Sequence, residues 1–219
     1  MANPFGVAIT EQTVKQLSYY LDQAVITQVD CAREAMRFIH ADGKNLDALD
    51  YAWSLKRRYG NGVSTLVLVY NATGGRVTLE QRQDWVGRVF DVDAPRTLQN
   101  GQWAAFLHVK PPVLAQGSQA ARVFRGTDVD GRTRDLLVAW SIPWNTNNRT
   151  SAYTEIGTQN YFTSRWSSMR TKLENAGTIT RAKDVGRFSS TISIGGFTTS
   201  ECIAVLQHQF EPLPAERFD

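Results

Sequence analysis

Two periodicities divide the chain near residue 60. Before it, apolar residues recur at helical spacing. Thr13 with Gln16 forms a capping-box pair that opens a helix predicted to run to about Ala24. Thr27 with Asp30 reads as a second N-cap. Val29, Ala32, Met36 and Ile39 then share one helical face, and Gly43 is placed to end it. Asn45 caps a third helix with Leu46, Leu49 and Trp53 on one stripe. Lys56-Arg57-Arg58 crowds its last turn, where cations suit the dipole, and Gly60-Asn61-Gly62 closes it.

After residue 60 the period becomes two. Val63–Asn71 reads as a strand, Asn71-Ala72-Thr73-Gly74-Gly75 as a hairpin turn, and Arg76–Glu80 as the return. Trp85–Phe90 is a third strand. In Gln102–Lys110, Trp103, Ala105, Leu107 and Val109 lie on one face, and Ala104, Phe106 and His108 on the other. Ala120–Arg125 and Asp135–Ile142 flank the hairpin signal Asp128-Val129-Asp130-Gly131. Ala152–Ile156 is short, and Cys202–Phe210 is a long closing strand. Several strands are apolar on both faces, so both faces must be covered. The expected architecture is mainly β: a two-sheet β-sandwich, residues 62–219, with an N-terminal helical segment, residues 1–61, packed on it as one structural unit. No helix alternates with the strands, which argues against a parallel βαβ sheet.

Composition narrows the function classes. The 219 residues are 42% apolar and 21% charged, which excludes a disordered chain. Twenty-four basic against 21 acidic residues leave a net +3, too mild to argue for nucleic acid. No apolar run reaches the roughly 18 residues of a membrane span. Met1-Ala2-Asn3-Pro4-Phe5 has neither the basic nor the apolar region of a signal peptide. A cytoplasmic or non-classically released protein acting at membrane surfaces is therefore expected. Cys31 and Cys202 fall in apolar periodic segments and read as buried free thiols, with one disulfide between them as the alternative.

The chemistry-bearing residues argue against catalysis. His40, His108 and His208 occupy no HExxH, HxH or CxxC setting, and neither a GxSxG elbow nor a P-loop occurs. Asp128-x-Asp130-Gly131 shares only a fragment of a calcium loop, so no metal or cofactor is expected. Asn71-Ala-Thr and Asn148-Arg-Thr match the glycosylation pattern and read as unmodified turns without a secretory signal.

Aromatics are the stronger signal. Ser141-Ile142-Pro143-Trp144-Asn145 leaves a strand and enters an Asn-rich loop. Pro143 ends the ladder by removing a donor, which puts Trp144 outside the core. Tyr153, Tyr161, Phe162 and Trp166 follow, with Arg149, Arg165 and Arg170 among them. Aromatic faces suit a quaternary ammonium, and an arginine fork suits a phosphate. The set would fit a phosphocholine headgroup, and equally a sugar-binding cleft. Phe162 and Trp166 also fit the apolar face of a short helix with Met169 and Leu173.

Tyr59-Gly-Asn-Gly, Leu68-Val-Tyr-Asn-Ala-Thr-Gly, Gln99-Asn-Gly-Gln-Trp-Ala-Ala-Phe-Leu-His-Val and Tyr153-Thr-Glu-Ile resemble the plant 23 kDa jasmonate-induced protein family. The broader group includes fungal nakanori-like proteins that bind sphingomyelin with cholesterol on an actinoporin-like fold. Ser141-Ile142-Pro143-Trp144-Asn145 is also similar to the strand-to-loop segment with which actinoporins hold phosphocholine. The resemblance implies headgroup contacts at Ser141, Pro143, Trp144 and Asn145, and looser ones at Tyr153, Tyr161, Phe162 and Trp166. It departs at the N-terminus, where three helices with interspersed charges replace the amphipathic pore-forming helix. The expectation is a non-enzymatic peripheral protein binding membrane lipids, sphingomyelin with cholesterol foremost, without pore formation. A lectin-like module, a pore-forming cytolysin and a small hydrolase are the alternatives. No obligate protein partner and no nucleic acid are inferred.

Overall fold

Side-chain caps start the helices. The Thr27 hydroxyl accepts from the Asp30 N–H, and the Asp30 carboxylate accepts from the Thr27 N–H at 2.9 Å, opening α2 (Gln28–Arg37). In the computed structural model, which describes residues 3–145, 149–184 and 187–209, the first cap lies earlier than expected. Thr10 is the N-cap, Thr13 reaches back, and α1 (Glu11–Lys15) is a single turn. The helix expected through Ala24 gives way to a 3-10 turn over Ser18–Tyr20. Leaving the helix lets Tyr19 and Tyr20 donate to the buried Glu34 carboxylate at 2.6 and 3.1 Å. α3 (Lys44–Tyr59) begins just before the expected Asn45 cap, from Gly43 at φ 68. Asn148 and Phe210 lie outside the described residues.

The strands are β1 (Ser64–Ala72), β2 (Val77–Val86), β3 (Arg88–Phe90), β4 (Thr97–Leu98), β5 (Trp103–Val109), β6 (Ser118–Thr127), β7 (Thr133–Ile142), β8 (Ser151–Thr158), β9 (Ile179–Lys183), β10 (Phe188–Ile194) and β11 (Thr199–His208), with α4 (Trp166–Glu174) before β9. Six make one sheet in the order β3-β5-β1-β11-β10-β9. Five make the second in the order β4-β2-β6-β7-β8. The pairings are antiparallel except β1 with β11.

The expected hairpin at residues 71–75 is instead a crossing between sheets. Both edges of β1 are taken, by β5 and β11, so the chain after it cannot fold back alongside. The Asn71 amide secures the crossing by donating to Gly75 O at 2.8 Å and Leu98 O at 2.9 Å. The strand expected over Trp85–Phe90 is likewise split. Trp85 and Val86 finish β2, Gly87 turns at φ 100, and β3 joins the other sheet. A Cβ on Gly87 would sit 2.3 Å from Val109 O, so only glycine fits the turn. β9 and β10 were not anticipated.

Alternation along each strand produces three apolar layers. Val67, Val69, Ala104, Phe106, Val138 and Trp140 point between the sheets. The opposite faces of β1 and β5, with Leu66, Leu68, Tyr70, Trp103 and Leu107, carry the N-terminal helices through Val14, Ala35, Ala52 and Leu55. Lys44 Nζ fastens this layer by donating to the Tyr70 hydroxyl and to Gly101 O. A third layer lies outside the second sheet, under α4. Cys31 and Cys202 are free and buried, each in a different layer, the N-terminal layer and the intersheet core.

Candidate functional site

The outer face of the second sheet is built in rows across β6, β7 and β8. Gln119 opposes Ser141, which opposes Ser151; the next row is Ala121, Ala139 and Tyr153; the next is Val123, Leu137 and Glu155. Phe162, Met169 and Leu173 seal the second and third rows, buried against Ala121, Val123, Leu137 and Ala139. The polar first row lies beyond the C-terminal end of α4. There it opens into a groove of about 670 Å³, lined by Ser141, Pro143, Trp144 and Asn145 with Gln119 and Ser151, and rimmed by Arg149, Arg170 and Glu174.

The local sequence explains the groove's shape. After the apolar run of β7, Pro143 stops the ladder, and Trp144 stands 47% exposed beside the opening. Across from it, Gly117 lets the β5–β6 connection press against the end of β7. A Cβ there would fall 2.0 Å from Ile142 O. Lys110 Nζ lies 5.4 Å from the Trp144 ring centre and donates to Pro111 O and Leu114 O, each at 3.1 Å. One ammonium thus joins the two loops that flank the groove.

The polar groups suit a zwitterion. The Arg170 guanidinium donates to the Glu174 carboxylate at 2.9 Å, and the Gln119 amide donates to the same oxygen at 3.2 Å. Glu174 ends α4, where the helix dipole is negative, so this corner favours a cation. Arg149 and Arg170 supply guanidinium donors on the same rim. The Ser151 hydroxyl is 1% exposed, lines the groove and has no hydrogen-bond partner among the described residues.

The expected site residues divide. Ser141, Pro143, Trp144 and Asn145 share the groove. Tyr153, Tyr161, Phe162 and Trp166 belong to the layer under α4. Phe162 is 0% exposed, so it has no surface to offer a headgroup; it sits in the turn before α4 and packs into the same layer as Met169 and Leu173. The Tyr153 hydroxyl donates to Glu155 at 2.5 Å, and burial and that carboxylate both push its pKa up. Arg165 covers the Tyr161 ring at 4.3 Å, and Trp166 meets Trp85 edge-on at 6.2 Å. Gln119, Ser151 and Glu174 were missed, because they converge from three elements and form no motif.

A second polar cluster lies inside. Ser118 Oγ is 2.8 Å from His108 Nδ1, and His108 Nε2 is 3.4 Å from Asp84 Oδ1. Arg122, wholly buried against the rings of Phe106 and Trp140, pairs with Asp84 at 2.7 Å and Asp93 at 3.1 Å. Burial alone would raise the Asp84 carboxyl, but the His108 ring and the Arg122 guanidinium outweigh it and hold it at about 2. The order serine–histidine–aspartate resembles a hydrolytic triad. Ser118 and His108 are both 0% exposed, so a substrate carbonyl has no approach to either.

Comparison with known proteins adds a family to this geometry. A model of Nakanori-like proteins matches residues 5–209. The 23 kDa jasmonate-induced protein of Hordeum vulgare is 36% identical over 210 residues, which cover 94% of this chain and 98% of that protein. A jasmonate-induced protein homologue of Atriplex canescens is 29% identical over 147 residues, 65% of this chain and 77% of its own. The crystal structure of the lipid-binding protein Nakanori superposes with a TM-score of 0.85 at 28% identity, covering 94% of this chain and 100% of that one.

Proposed function

The chain belongs to the Nakanori-like family, and we propose that it is a non-enzymatic, peripheral lipid-binding protein that takes phosphocholine headgroups, sphingomyelin with cholesterol foremost, in the groove at the end of β7. The observation that carries this reading is the groove itself. It sets an exposed Trp144, two guanidinium groups, a carboxylate and an unpartnered serine hydroxyl around one opening. The phosphate takes Arg149, Arg170 and the Ser151 hydroxyl. The quaternary ammonium takes the free side of the Trp144 ring or the negative corner at Glu174. The likeness to a lipid-binding protein over 94% of the chain supports the same ligand class.

The way the N-terminal helices are held supports attachment without pore formation. Their apolar faces are already used against the first sheet, and Lys44, Tyr70 and Glu34 tie them down with buried hydrogen bonds. Freeing them to enter a bilayer would expose that layer.

The test is flotation with vesicles of sphingomyelin/cholesterol and of phosphatidylcholine, alongside titration with soluble phosphocholine and a dye-release assay. Preferential flotation with sphingomyelin/cholesterol, saturable phosphocholine binding and no leakage are expected. Equal binding to both vesicles removes the specificity, and leakage removes the statement about pores. Binding to lipid-free glycans competed by a monosaccharide would replace the lipid by a sugar.

A further inference from the structure

Four exposed apolar residues lie on loops at the same end of the sandwich as the groove. β1 and β11 begin there and β5 ends there, since Ser64 pairs with both Val109 and Thr199. β6 begins and β7 ends there, since Ser118 pairs with Ile142. The β5–β6 loop carries Val113, 99% exposed, and Leu114, 51% exposed; the β10–β11 loop carries Phe197, 79% exposed; the β7–β8 loop carries Trp144. A second concavity of about 370 Å³ runs from Trp144 to Thr198 and Thr199, so the groove and the Phe197 loop are adjacent.

The β5–β6 loop is held in an unusual shape. Val113 has φ 64, a region that branched side chains avoid, and the Leu114 N–H donates to Pro112 O at 2.7 Å across it. The turn lifts an apolar side chain to the outermost position of the loop, while Lys110 binds the loop's carbonyls from below. Cations surround the anchors: Lys110, Arg149 and Arg170 at the groove, and Lys56 at the second concavity.

Resting on the lipid-binding reading above, we infer that this end of the molecule is a bilayer-inserting tip, with Val113 and Phe197 as its deepest anchors. Apolar tips ringed by basic side chains match a bilayer, where acyl chains lie just beneath a layer of phosphates. Val113 and Phe197, on two separate loops, are largely solvated and have no walls around them. A fluid interior accommodates such points, whereas a protein partner would need a matching pocket for each.

The experiment labels Val113→Cys and Phe197→Cys, one at a time, with an environment-sensitive fluorophore. The native thiols at Cys31 and Cys202 are buried and escape the reagent. Sphingomyelin/cholesterol vesicles should blue-shift both labels, and lipids brominated in the acyl chains should quench them. V113N/F197S should lower vesicle affinity by about tenfold for each anchor while leaving soluble phosphocholine binding unchanged. Asparagine tolerates the left-handed backbone at residue 113, so misfolding cannot account for that loss. Flotation with both labels still in water overturns the tip and leaves the lipid-binding reading standing. Blue-shifted labels without phosphocholine binding leave the tip and remove the headgroup site. No binding to any vesicle overturns both. A wild-type dimer that V113N/F197S converts to monomer, with vesicle binding unaffected, overturns the tip alone.

Discussion

Ser118 and Gln119 are adjacent on β6 and face opposite ways. Ser118 enters a chain of polar groups with the buried His108 and Arg122, which ends on Asp84 at the surface; Gln119 enters the open groove with Ser141, Ser151 and Glu174. The inner set has the residue types of a hydrolase and the better geometry. The outer set has looser contacts and access to solvent. What separates them is not chemistry but whether a ligand can arrive. The inner cluster turns its charges on itself and so ties β2, β5 and β6 together; the outer one presents a hydroxyl, the Arg149 guanidinium and the Arg170–Glu174 pair to the opening.

The sharpest way to break this contrast is to disturb the inner set first. Asp84→Ala strips Arg122 Nη1 and His108 Nε2 of their carboxylate while the guanidinium stays buried. The expected cost is about 2 kcal/mol in urea unfolding, because Arg122 Nη1 and His108 Nε2 lose their acceptor in a buried setting while Asp93 still pairs with the guanidinium. Any loss of vesicle binding should scale with the loss of folded protein. A stable variant that no longer binds lipid would mean that the inner cluster acts on the ligand, and the division would fail.

The same cluster sets the response to acid. Burial lowers the His108 pKa despite Asp84, and lowers that of His208 as well. The unfolded chain takes these protons near pH 6.5 whereas the folded chain resists them. Their contribution is therefore complete above about 6.5 and lost as pH falls below it. Asp84 acts lower down. Its stabilisation is present above about 4, the unfolded value, and is lost as pH falls toward about 2. Melting temperature measured from pH 8 to pH 3 should fall in these two stages. His108→Gln should flatten the first without abolishing it, since His208 remains.

Gly117→Ala sits on the border between the two sets. Its Cβ meets backbone, Ile142 O, which cannot swing aside as a side chain could. The expected loss is about 1–3 kcal/mol of stability, with displacement of the loop that walls the groove. Unlike Asp84→Ala, it should reduce phosphocholine binding by more than unfolding explains. Equal reductions in both would show that the wall has no part in binding.

Much of the fold was legible because burial repeats at the period of the backbone. The two faces of β5 and the apolar run of β7 announce central strands in any register, and Thr27 with Asp30 announces α2 through a local cap. β9 and β10 were illegible for the converse reason. β9 is a half-exposed edge strand, and in β10 Ser190 interrupts the alternate row of Phe188, Ile192 and Ile194 while serine and threonine fill the other positions, so neither shows an unbroken apolar stripe. The crossing at residues 71–75 misled because Asn-Ala-Thr-Gly-Gly has hairpin chemistry, and only the occupied edges of β1 forbid the hairpin. Within the groove, Ser141 to Asn145 could be read from a proline that ends a strand. The burial of Phe162 with Met169 and Leu173 could be read from their apolar spacing, although Phe162 packs from the turn before α4 and not from the helix. Ser151 and Glu174 could not, since their meeting depends on strand register and on where α4 stops.

Trp144→Ala probes the open set with little effect on folding. The ring is about half exposed, so stability should change by no more than about 0.5 kcal/mol. Vesicle affinity should fall about tenfold, read by flotation against phospholipid concentration. Unchanged affinity would take the aromatic out of the site and leave only the polar donors.

Ser151→Ala is the smallest change and the most discriminating. Its hydroxyl is buried and has no partner among the described residues, so removing it takes away no bond to them. Folding should be neutral or slightly favoured, because the group is desolvated in the folded chain without a protein bond in return. If the groove holds a phosphate, the same deletion removes a donor from the ligand and should weaken phosphocholine binding about fivefold. An interior serine such as Ser118, bonded to Thr65 and His108, would behave in the opposite way, losing stability and leaving binding alone. Replacing both by alanine in separate chains therefore reads the contrast directly. Should Ser151→Ala destabilise the fold and spare the ligand, the groove would be a structural seam like the cluster behind it.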